Sequence, residues 1–248
     1  MTRLIGKPEE VARDHYLLRL DAGDAVSAPG QFVTIKPGEG TDPLLRRPFS
    51  LFDHHDGVIE IVVRVVGRGT GLISRAGGEL DMLGPMGRGF SLERAGSALL
   101  VGGGVGCAPL NYLARALKAA GVRVTMLFGA SSSGFVYCRD EFIRNSHDFH
   151  VTTDDGSEGR GGAVVSLMAE LLAAEKYDRI YCCGPTVMMK KAVELAGPVP
   201  VEISVENYFG CGFGICAGCT IETTSGLKRA CVHGPVFDGR SVILGSLG

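Results

Sequence analysis

The amino-acid sequence predicts a multidomain protein in which an all-β part precedes an α/β part and a short cysteine-rich tail. Between about residues 11 and 92, strand-like runs are separated by glycine and proline turns. After Gly96, apolar strands alternate with helical segments, which is typical of a parallel sheet covered on both faces. We therefore expect an N-terminal antiparallel β-barrel over residues 1–95, a doubly wound parallel α/β sheet over 96–205 and a third domain over 206–248.

The barrel is predicted from four runs of strand character: HYLLRLD, QFVTIKP, VIEIVVRVV and ELDMLGP. No amphipathic segment of helical length lies between them. The α/β part is predicted to run strand, helix, strand, strand, helix, strand, helix through SALLVGGG, PLNYLARALKAAG, VRVTMLFGA, FHVTTDD, GGAVVSLMAELLAAE, DRIYCCG and PTVMMKKAVELAG. The tail ends in the strand candidates CTIETTS, LKRACVH and SVILG. It is too small to bury a core alone, so we expect a metal centre to stabilise it.

Composition and charge argue against several classes of function. The formal net charge is -2 and the 25 lysines and arginines are scattered, so we expect neither nucleic acid nor an anionic membrane as a partner. The N-terminus lacks the apolar core of a signal peptide, and no segment reaches the roughly 18 apolar residues of a membrane span. We therefore expect a cytoplasmic protein, where closely spaced cysteines bind a metal or carry out redox chemistry more often than they form disulfides.

Four cysteines of the tail have the spacing C-x4-C-x2-C-x11-C: Cys211, Cys216, Cys219 and Cys231. The first three match the plant-type 2Fe-2S ferredoxin pattern, although the last gap is shorter than in those ferredoxins. The glycines among them permit positive φ angles and close approach of backbone N–H groups to sulfur. The alternative is a structural zinc site, which usually has a C-x2-C pair in each half, whereas here the second half has a single cysteine. The spacing favours an iron–sulfur cluster.

The other cysteines have a simpler interpretation. Cys107, Cys138 and Cys182 lie in or beside apolar segments and are expected to be small buried residues. Cys183 is less clear, because it ends a strand immediately before Gly184 and Pro185.

Two strand ends in the α/β part suggest a nucleotide site. The stretch VGGGVGCAP, residues 101–109, lies between a buried strand and a helix, where glycines let a dinucleotide pyrophosphate approach the helix. A second strand end, CCGPTVMMKK, belongs to the same parallel sheet, and ligands bind at the carboxyl ends of such strands. An ordinary strand-to-helix turn is the alternative for the first stretch taken alone.

The barrel carries two candidate phosphate-binding stretches. In LLRRPFSLFD, Arg47 and Ser50 stand three apart, so that we expect a guanidinium and a hydroxyl to reach a phosphate together. GRGTG, residues 67–71, is a glycine-rich anion site with a hydroxyl donor. For each, the alternative is an ordinary barrel corner with a surface arginine.

The order of R-P-F-S, G-G-G-V-G-C-A-P and C-G-P resembles the ferredoxin reductase superfamily, whose barrel holds a flavin and whose sheet holds a nicotinamide nucleotide. The tail, CGFGICAGC followed by RACVHGPVFDG, resembles the electron-transfer subunits of heteromeric, NAD-dependent (class 1B) dihydroorotate dehydrogenases. The similarity extends over nearly the whole chain and includes TTDDGSEGRGG. Cys107, where an aliphatic residue is expected, and the doublet Cys182–Cys183 depart from the pattern.

The resemblance implies a role for each matching residue. It assigns FAD to Arg47, Pro48, Phe49, Ser50, Val62, Val63, Arg64, Gly69 and Thr70. It places the nicotinamide nucleotide beside Gly102, Gly103, Gly104, Gly106, Cys183, Gly184 and Pro185. Cys183 would approach the nicotinamide where hydride passes to the flavin, as the catalytic residue. The ligands of the 2Fe-2S cluster would be Cys211, Cys216, Cys219 and Cys231.

The resemblance also implies an activity and a partner. Electrons would pass from dihydroorotate through the FMN of a catalytic subunit, the 2Fe-2S cluster and FAD to NAD+, in a heterotetramer with two of each subunit, serving pyrimidine biosynthesis. Two alternatives stay open: a related NAD(P)H-dependent subunit of another complex, such as a sulfide dehydrogenase or a glutamate-synthase-like enzyme, and a zinc-stabilised nucleotide-binding module. NAD is taken from the resemblance alone. No acidic residue stands at the end of VRVTMLFGA to distinguish it from NADP, and residues 131–133, all serines, and Arg139 could equally suit a phosphate there.

Overall fold

The computed structural model describes residues 1–93 and 95–246, so the last two residues of the predicted third domain lie outside the described residues. Its N-terminal part is an antiparallel sheet of six strands in the order β2-β3-β6-β5-β4-β8, with a short pair β1-β7 beside it. The strands are β1 (Thr2–Arg3), β2 (Glu9–Ala12), β3 (His15–Asp21), β4 (Phe32–Ile35), β5 (Arg47–His55), β6 (Val58–Arg64), β7 (Glu79–Leu80) and β8 (Met82–Met86). One helix, α1 (Arg68–Ile73), occupies the stretch where the sequence predicts only a glycine-rich turn.

Alternation along the strands builds the core of this sheet. In β6, Ile59, Ile61 and Val63 are completely buried and pack with Leu18 and Leu51, as successive side chains of a strand point to opposite faces. The side chains of Val62 and Arg64 project from the opposite face of β6, which is turned toward the α/β part. The N-terminal sheet therefore offers one apolar face to its own core and one to a ligand cavity.

The α/β part is a parallel sheet in the order β12-β11-β10-β9-β13-β14. Its elements are β9 (Ser97–Gly103), α2 (Ala108–Ala119), β10 (Arg123–Ala130), α3 (Arg139–Asn145), β11 (Asp148–Thr153), β12 (Arg160–Gly161), α4 (Val164–Ala174), β13 (Arg179–Cys183), α5 (Thr186–Leu195) and β14 (Val201–Ser204). Strand order reverses between β9 and β13, and such a switch point is where open α/β sheets bind ligands. The two strand ends that the sequence singled out flank this point.

The tail joins the parallel sheet. It contains β15 (Thr220–Thr223), β16 (Gly226–Arg229), α6 (Ala230–His233) and β17 (Val236–Asp238), and β17 pairs antiparallel with β14. Cys219, Ile221 and Cys231 are buried in the same core as Leu99 and Ile180 of the sheet. Strand pairing and a shared core thus hold the tail, so a metal centre is not its only support. Among the described residues, no helix has the length and apolar character needed to cross a bilayer.

Polar contacts of α2 attach the α/β part to the N-terminal sheet. Arg115 donates to both carboxylate oxygens of Asp53, with Nη2 to Oδ1 at 2.6 Å and Nε to Oδ2 at 3.0 Å. Asn111 donates to the carbonyl of Phe52 at 3.3 Å. Because α2 starts at the glycine loop and β5 starts at the R-P-F-S segment, these contacts fix the two candidate ligand-binding stretches relative to each other.

Asp53→Asn is expected to lower the free energy of unfolding by about 2 kcal/mol, because it weakens charge-assisted hydrogen bonds to a carboxylate whose side chain is only 8% exposed. Urea unfolding of the two proteins measures the difference. Asp148→Asn is the matched control, since that carboxylate forms an exposed ion pair with Arg123 and should cost less than about 1 kcal/mol. Equal losses in the two variants would show that the Asp53 contact stabilises the protein no more than an exposed ion pair does.

Candidate functional site

A cavity of 340 Å³, here called the inner cavity, lies between β5 and β6 on one side and the carboxyl ends of β9 and β13 on the other. It brings together residues that the resemblance assigned to flavin and to nucleotide: Pro48, Phe49, Ser50, Val62, Arg64, Gly106 and Cys183. Its wall is mainly apolar, with the hydroxyl of Ser50 and the guanidinium of Arg64 among its polar groups. A flat, largely apolar ring with a polar edge suits such a lining.

A second cavity of 680 Å³, here called the strand-end cavity, lies at the switch point of the parallel sheet. It is lined by Gly103, Gly104 and Pro185 of the predicted nucleotide site. Arg64 lines both cavities, so the two adjoin at its side chain. A ligand in one cavity can therefore reach a ligand in the other.

Two glycines of the predicted nucleotide site, Gly102 and Gly184, line neither cavity and serve close packing instead. A Cβ on Gly102 would lie 2.5 Å from the Sγ of Cys107, which explains why a small cysteine stands there. Gly184 has a φ of +154°, and a Cβ there would lie 2.9 Å from the backbone nitrogen of Gly103. Gly184 thus lets the ends of β9 and β13 approach each other.

The structure shows where the side chains of four residues in the flavin prediction lie. The side chain of Val63 is fully buried in the core of the N-terminal sheet, because it leaves β6 on the face opposite Val62 and Arg64. Arg47 and Ser50 do not converge on one point: Ser50 lines the inner cavity, whereas Arg47 does not. The hydroxyl of Thr70 is engaged within its own turn, where it accepts the N–H of Val66 at 2.9 Å and donates to the carbonyl of Gly67 at 3.1 Å.

Arg47 lies against α1 instead. A Cβ on Gly69 would be 2.4 Å from its Nε, so the guanidinium occupies space that this glycine leaves free. Arg47 donates to the carbonyl of Leu45, and among the described residues no carboxylate pairs with it. A guanidinium without a carboxylate partner is available to bind an anion, and its planar set of N–H donors suits the oxygens of a diphosphate group.

Cys183 is a buried, neutral thiol at the wall of the inner cavity. Its exposed fraction is 2%, and burial raises the pKa of the thiol, with the carboxylate of Glu206 adding to the shift. The thiol therefore remains protonated at neutral pH, and its small uncharged side chain lets a ligand come close to this wall of the cavity. Cys107 and Cys182 are fully buried, as expected, and Cys138 is partly exposed.

Several cavity residues were missed by the sequence analysis. Glu206, Asn207 and Phe209 line the inner cavity just before the cysteine loop. Asp154 lines the strand-end cavity beside Ser131, which the sequence analysis had named. Asp154 follows β11, one strand beyond the strand end that was searched for an acidic residue, and TTDD was the signal that could have identified it.

The four tail cysteines form two pairs. The sulfurs of Cys219 and Cys231 lie 3.2 Å apart and are buried. In the more exposed pair, Sγ of Cys216 accepts the N–H of Cys211 at 3.4 Å, and Sγ of Cys211 accepts the N–H of Cys216 at 3.5 Å. Within residues 1–93 and 95–246, no three or more His, Cys, Asp or Glu side chains are gathered so as to hold a metal ion.

This paired arrangement fits a two-iron cluster. Four thiolates bind a 2Fe-2S cluster as two per iron, whereas a structural zinc ion needs four ligands about one point. Burial opposes ionisation of Cys211, but N–H groups of Cys216, Phe213 and Ile215 lower the pKa of its thiol to about 6, which favours the thiolate that a metal binds. In the other pair, burial and the hydrogen bond with Cys219 raise the pKa of Cys231 to about 12, so its thiolate needs a bound metal to form at neutral pH. The donor set therefore suits the cluster that the spacing predicts.

The cysteine loop lies directly on the N-terminal sheet. The rings of Phe209 and Phe32 are 4.9 Å apart, and both residues line the inner cavity. Cys211 follows Phe209 by two residues. The wall of the inner cavity is thus continuous with the loop that carries the cysteines.

Comparisons with known proteins agree with this arrangement. Residues 206–243 match the iron-sulfur cluster binding domain of dihydroorotate dehydrogenase B, and residues 100–194 match the oxidoreductase NAD-binding domain. The chain is 39% identical over 246 residues to a protein from Desulforamulus reducens, covering 94% of each, and 42% identical over 226 residues to one from Bacillus caldolyticus, covering 87% of each. Both relatives are named as the electron transfer subunit of dihydroorotate dehydrogenase B (NAD(+)).

A solved structure shares the whole architecture. It is the NADH-dependent reduced ferredoxin-NADP oxidoreductase studied for flavin-based electron bifurcation, with a TM-score of 0.89 and 34% identity, covering 100% of this chain and 91% of that one. The predicted fold class is confirmed by this match and by the antiparallel and parallel sheets described above.

Proposed function

The chain belongs to the family of electron transfer subunits of NAD-dependent dihydroorotate dehydrogenase B, and from this premise we propose that it carries electrons between a dihydroorotate-oxidising catalytic subunit and NAD+. The observation that supports the proposal is the continuity of three candidate sites. The paired cysteines adjoin the wall of the inner cavity, and the inner cavity adjoins the strand-end cavity at Arg64. The N-terminal segment 1–95 would hold FAD, segment 96–205 the nicotinamide nucleotide and segment 206–248 the cluster.

FAD in the inner cavity would exchange a hydride with nicotinamide and release electrons singly, and a 2Fe-2S cluster held by Cys211, Cys216, Cys219 and Cys231 would carry one electron at a time. The chain's own residues bind and orient these groups. Pro48, Ser50 and Val62 form the wall of the inner cavity on the side of the N-terminal sheet. Gly106 and Cys183 form the opposite wall, where small side chains allow a nucleotide to approach closely.

The strand-end cavity has one acidic group that favours NAD, although Lys190 and Lys191 also line it and suit the phosphates of either nucleotide. Asp154 lines the cavity just beyond the carboxyl end of β11. An acidic side chain in such a position accepts hydrogen bonds from ribose hydroxyls and repels the 2′-phosphate of NADP. We assign this role to Asp154, which lies one strand beyond the position that the sequence analysis searched.

An apolar surface around the cysteines supports a protein partner. Tyr208 is 82% exposed, Ile215 80% and Phe213 51%, and all three stand within three residues of Cys211 or Cys216. Exposed aromatic and aliphatic residues grouped beside a redox group mark an interface rather than a solvated loop. We assign this surface to the FMN-containing catalytic subunit, in a cytoplasmic heterotetramer with two of each subunit.

Ile215→Asp is expected to weaken binding of the catalytic subunit at least about tenfold, because it buries an unpaired charge at the interface. Titration calorimetry with the purified catalytic subunit measures the affinity. Val26→Asp is the control, since Val26 is 88% exposed and distant in sequence from the loop. The visible spectrum checks that the cluster survives, and unchanged affinity with an intact cluster would place the partner elsewhere.

A second candidate function is the corresponding subunit of another flavin and iron–sulfur complex. The 34% identity to the NADH-dependent reduced ferredoxin-NADP oxidoreductase over the full chain favours it among the alternatives. Co-purification followed by two assays separates the candidates: dihydroorotate with NAD+, and reduced ferredoxin with NADP+. Activity in the second assay alone would overturn the dihydroorotate assignment. A colourless protein with one bound zinc would overturn both.

A further inference from the structure

Thr34 carries a buried hydroxyl without a partner. The residue lies in the middle of β4 and is 1% exposed. Within residues 1–93 and 95–246, no group forms a hydrogen bond with its Oγ1. Because a buried hydroxyl left unpaired costs free energy, such a group usually has a partner that is bound when the protein works.

The side chain of Thr34 faces the cysteine loop. Val33 and Ile35 point into the core of the N-terminal sheet, so Phe32 and Thr34 leave β4 on the other face. The Cγ2 of Thr34 lies 3.0 Å from the position that a Cβ on Gly212 would occupy. The methyl group of Thr34 is thus packed against the backbone that follows Cys211, and a rotation about the Cα–Cβ bond to another staggered rotamer would turn the hydroxyl toward the loop.

The same placement argues against the flavin as its partner. Phe32 lines the inner cavity, but Thr34, two residues farther along β4, does not. The sulfur atoms of the loop accept hydrogen bonds from backbone N–H groups of Cys211, Cys216, Gly218 and Cys231. No side-chain hydroxyl is among these donors, so Thr34 can add a hydrogen bond from a hydroxyl to sulfur.

We propose that the hydroxyl of Thr34 donates a hydrogen bond to a sulfur of the iron–sulfur centre held by the loop and thereby raises its reduction potential. Reduction adds one negative charge to the centre, and a donor to sulfur stabilises that charge. This inference rests on the proposed function, because it requires the cysteines to hold the cluster. The structure thus assigns β4 of the flavin domain a role in setting the potential of the neighbouring centre.

Thr34→Val tests the proposal, because valine has nearly the shape of threonine and lacks the hydroxyl. Loss of one hydrogen bond should disfavour the reduced centre about fivefold, which at 59 mV per tenfold for one electron is a potential about 40 mV more negative. An anaerobic redox titration of the holoprotein, followed by electron paramagnetic resonance and by flavin absorbance, measures both potentials. Thr34→Ser retains the hydroxyl and should retain the wild-type potential of the cluster. The flavin potential should be unchanged in both variants.

The outcomes separate this inference from the function on which it rests. Equal cluster potentials in wild type and Thr34→Val, or a shift confined to the flavin, would overturn the role of Thr34 and leave the proposed function intact. A wild-type protein without iron would overturn the proposed function itself. If Thr34→Val does not retain its cluster, Thr34→Ala removes the hydroxyl with less crowding of Gly212 and is titrated in its place, with the same expected shift.

Discussion

The Cys219→Ser variant is expected to keep its flavin and to lose dihydroorotate-dependent reduction of NAD+ in the reconstituted complex almost completely. Cys219 is 2% exposed and its sulfur lies 3.2 Å from that of Cys231, so the substitution removes one ligand from the buried pair. Metal binding and local folding are linked, and the segment after Glu206 should loosen. The N-terminal sheet and its core do not depend on this residue.

Iron content, electron paramagnetic resonance of the reduced sample and the dihydroorotate assay together measure the effect. Oxidation of NADH with a dye that accepts electrons directly from flavin should largely remain. Cys138→Ser is the matched control, because Cys138 lies outside the loop at the start of α3 and should leave every reading unchanged. Normal turnover of a Cys219→Ser complex that contains no cluster would show that the cysteines are structural.

Arg47→Ala is expected to weaken retention of FAD by about 1.5 to 3 kcal/mol, the range of a hydrogen bond to a charged group, or roughly 10- to 150-fold in the dissociation constant. The guanidinium has no carboxylate partner among the described residues and lies against Gly69. Gly69→Ala should act in the same direction, because its Cβ would occupy the place of Nε and displace the charge without removing it.

Flavin content after dialysis and fluorescence titration of the apoprotein with FAD measure these effects. Arg46→Ala is the control: that arginine is the chain neighbour of Arg47 but is paired with Asp81 at 2.5 Å. Full flavin occupancy in Arg47→Ala would remove Arg47 from the site. Equal loss in Arg46→Ala would indicate a general effect of charge.

The sequence predicted the order of the main strands and helices because long apolar runs and glycine loops mark them directly. It missed β14, whose four residues follow a proline, and α3, which starts after Cys138 in a left-handed conformation. These elements depend on neighbours more than on local pattern. Pairing of β17 with β14 was likewise invisible, since it joins segments that the sequence assigned to different domains.

The sequence predicted which types of residue form the candidate site, but it predicted less well where their side chains point. The motifs assigned Arg47, Ser50 and Val63 together to the flavin. In the structure, the side chain of Ser50 lines the inner cavity, that of Val63 lies in the core of the N-terminal sheet and that of Arg47 lies against α1. Arg64 lines both cavities in an arrangement of the two domains that the contacts of α2 help to hold. Side-chain direction across a domain boundary follows from tertiary packing, which no local motif encodes.

The most direct test of the account is the reconstituted complex with its catalytic subunit, given dihydroorotate and NAD+ under anaerobic conditions. Orotate and NADH are expected to form in equal amounts, only when both subunits are present, and their formation should stop when the cluster is removed. If orotate forms with an artificial acceptor while NAD+ stays unreduced, although this subunit retains FAD and iron, the proposed passage of electrons through this chain is wrong.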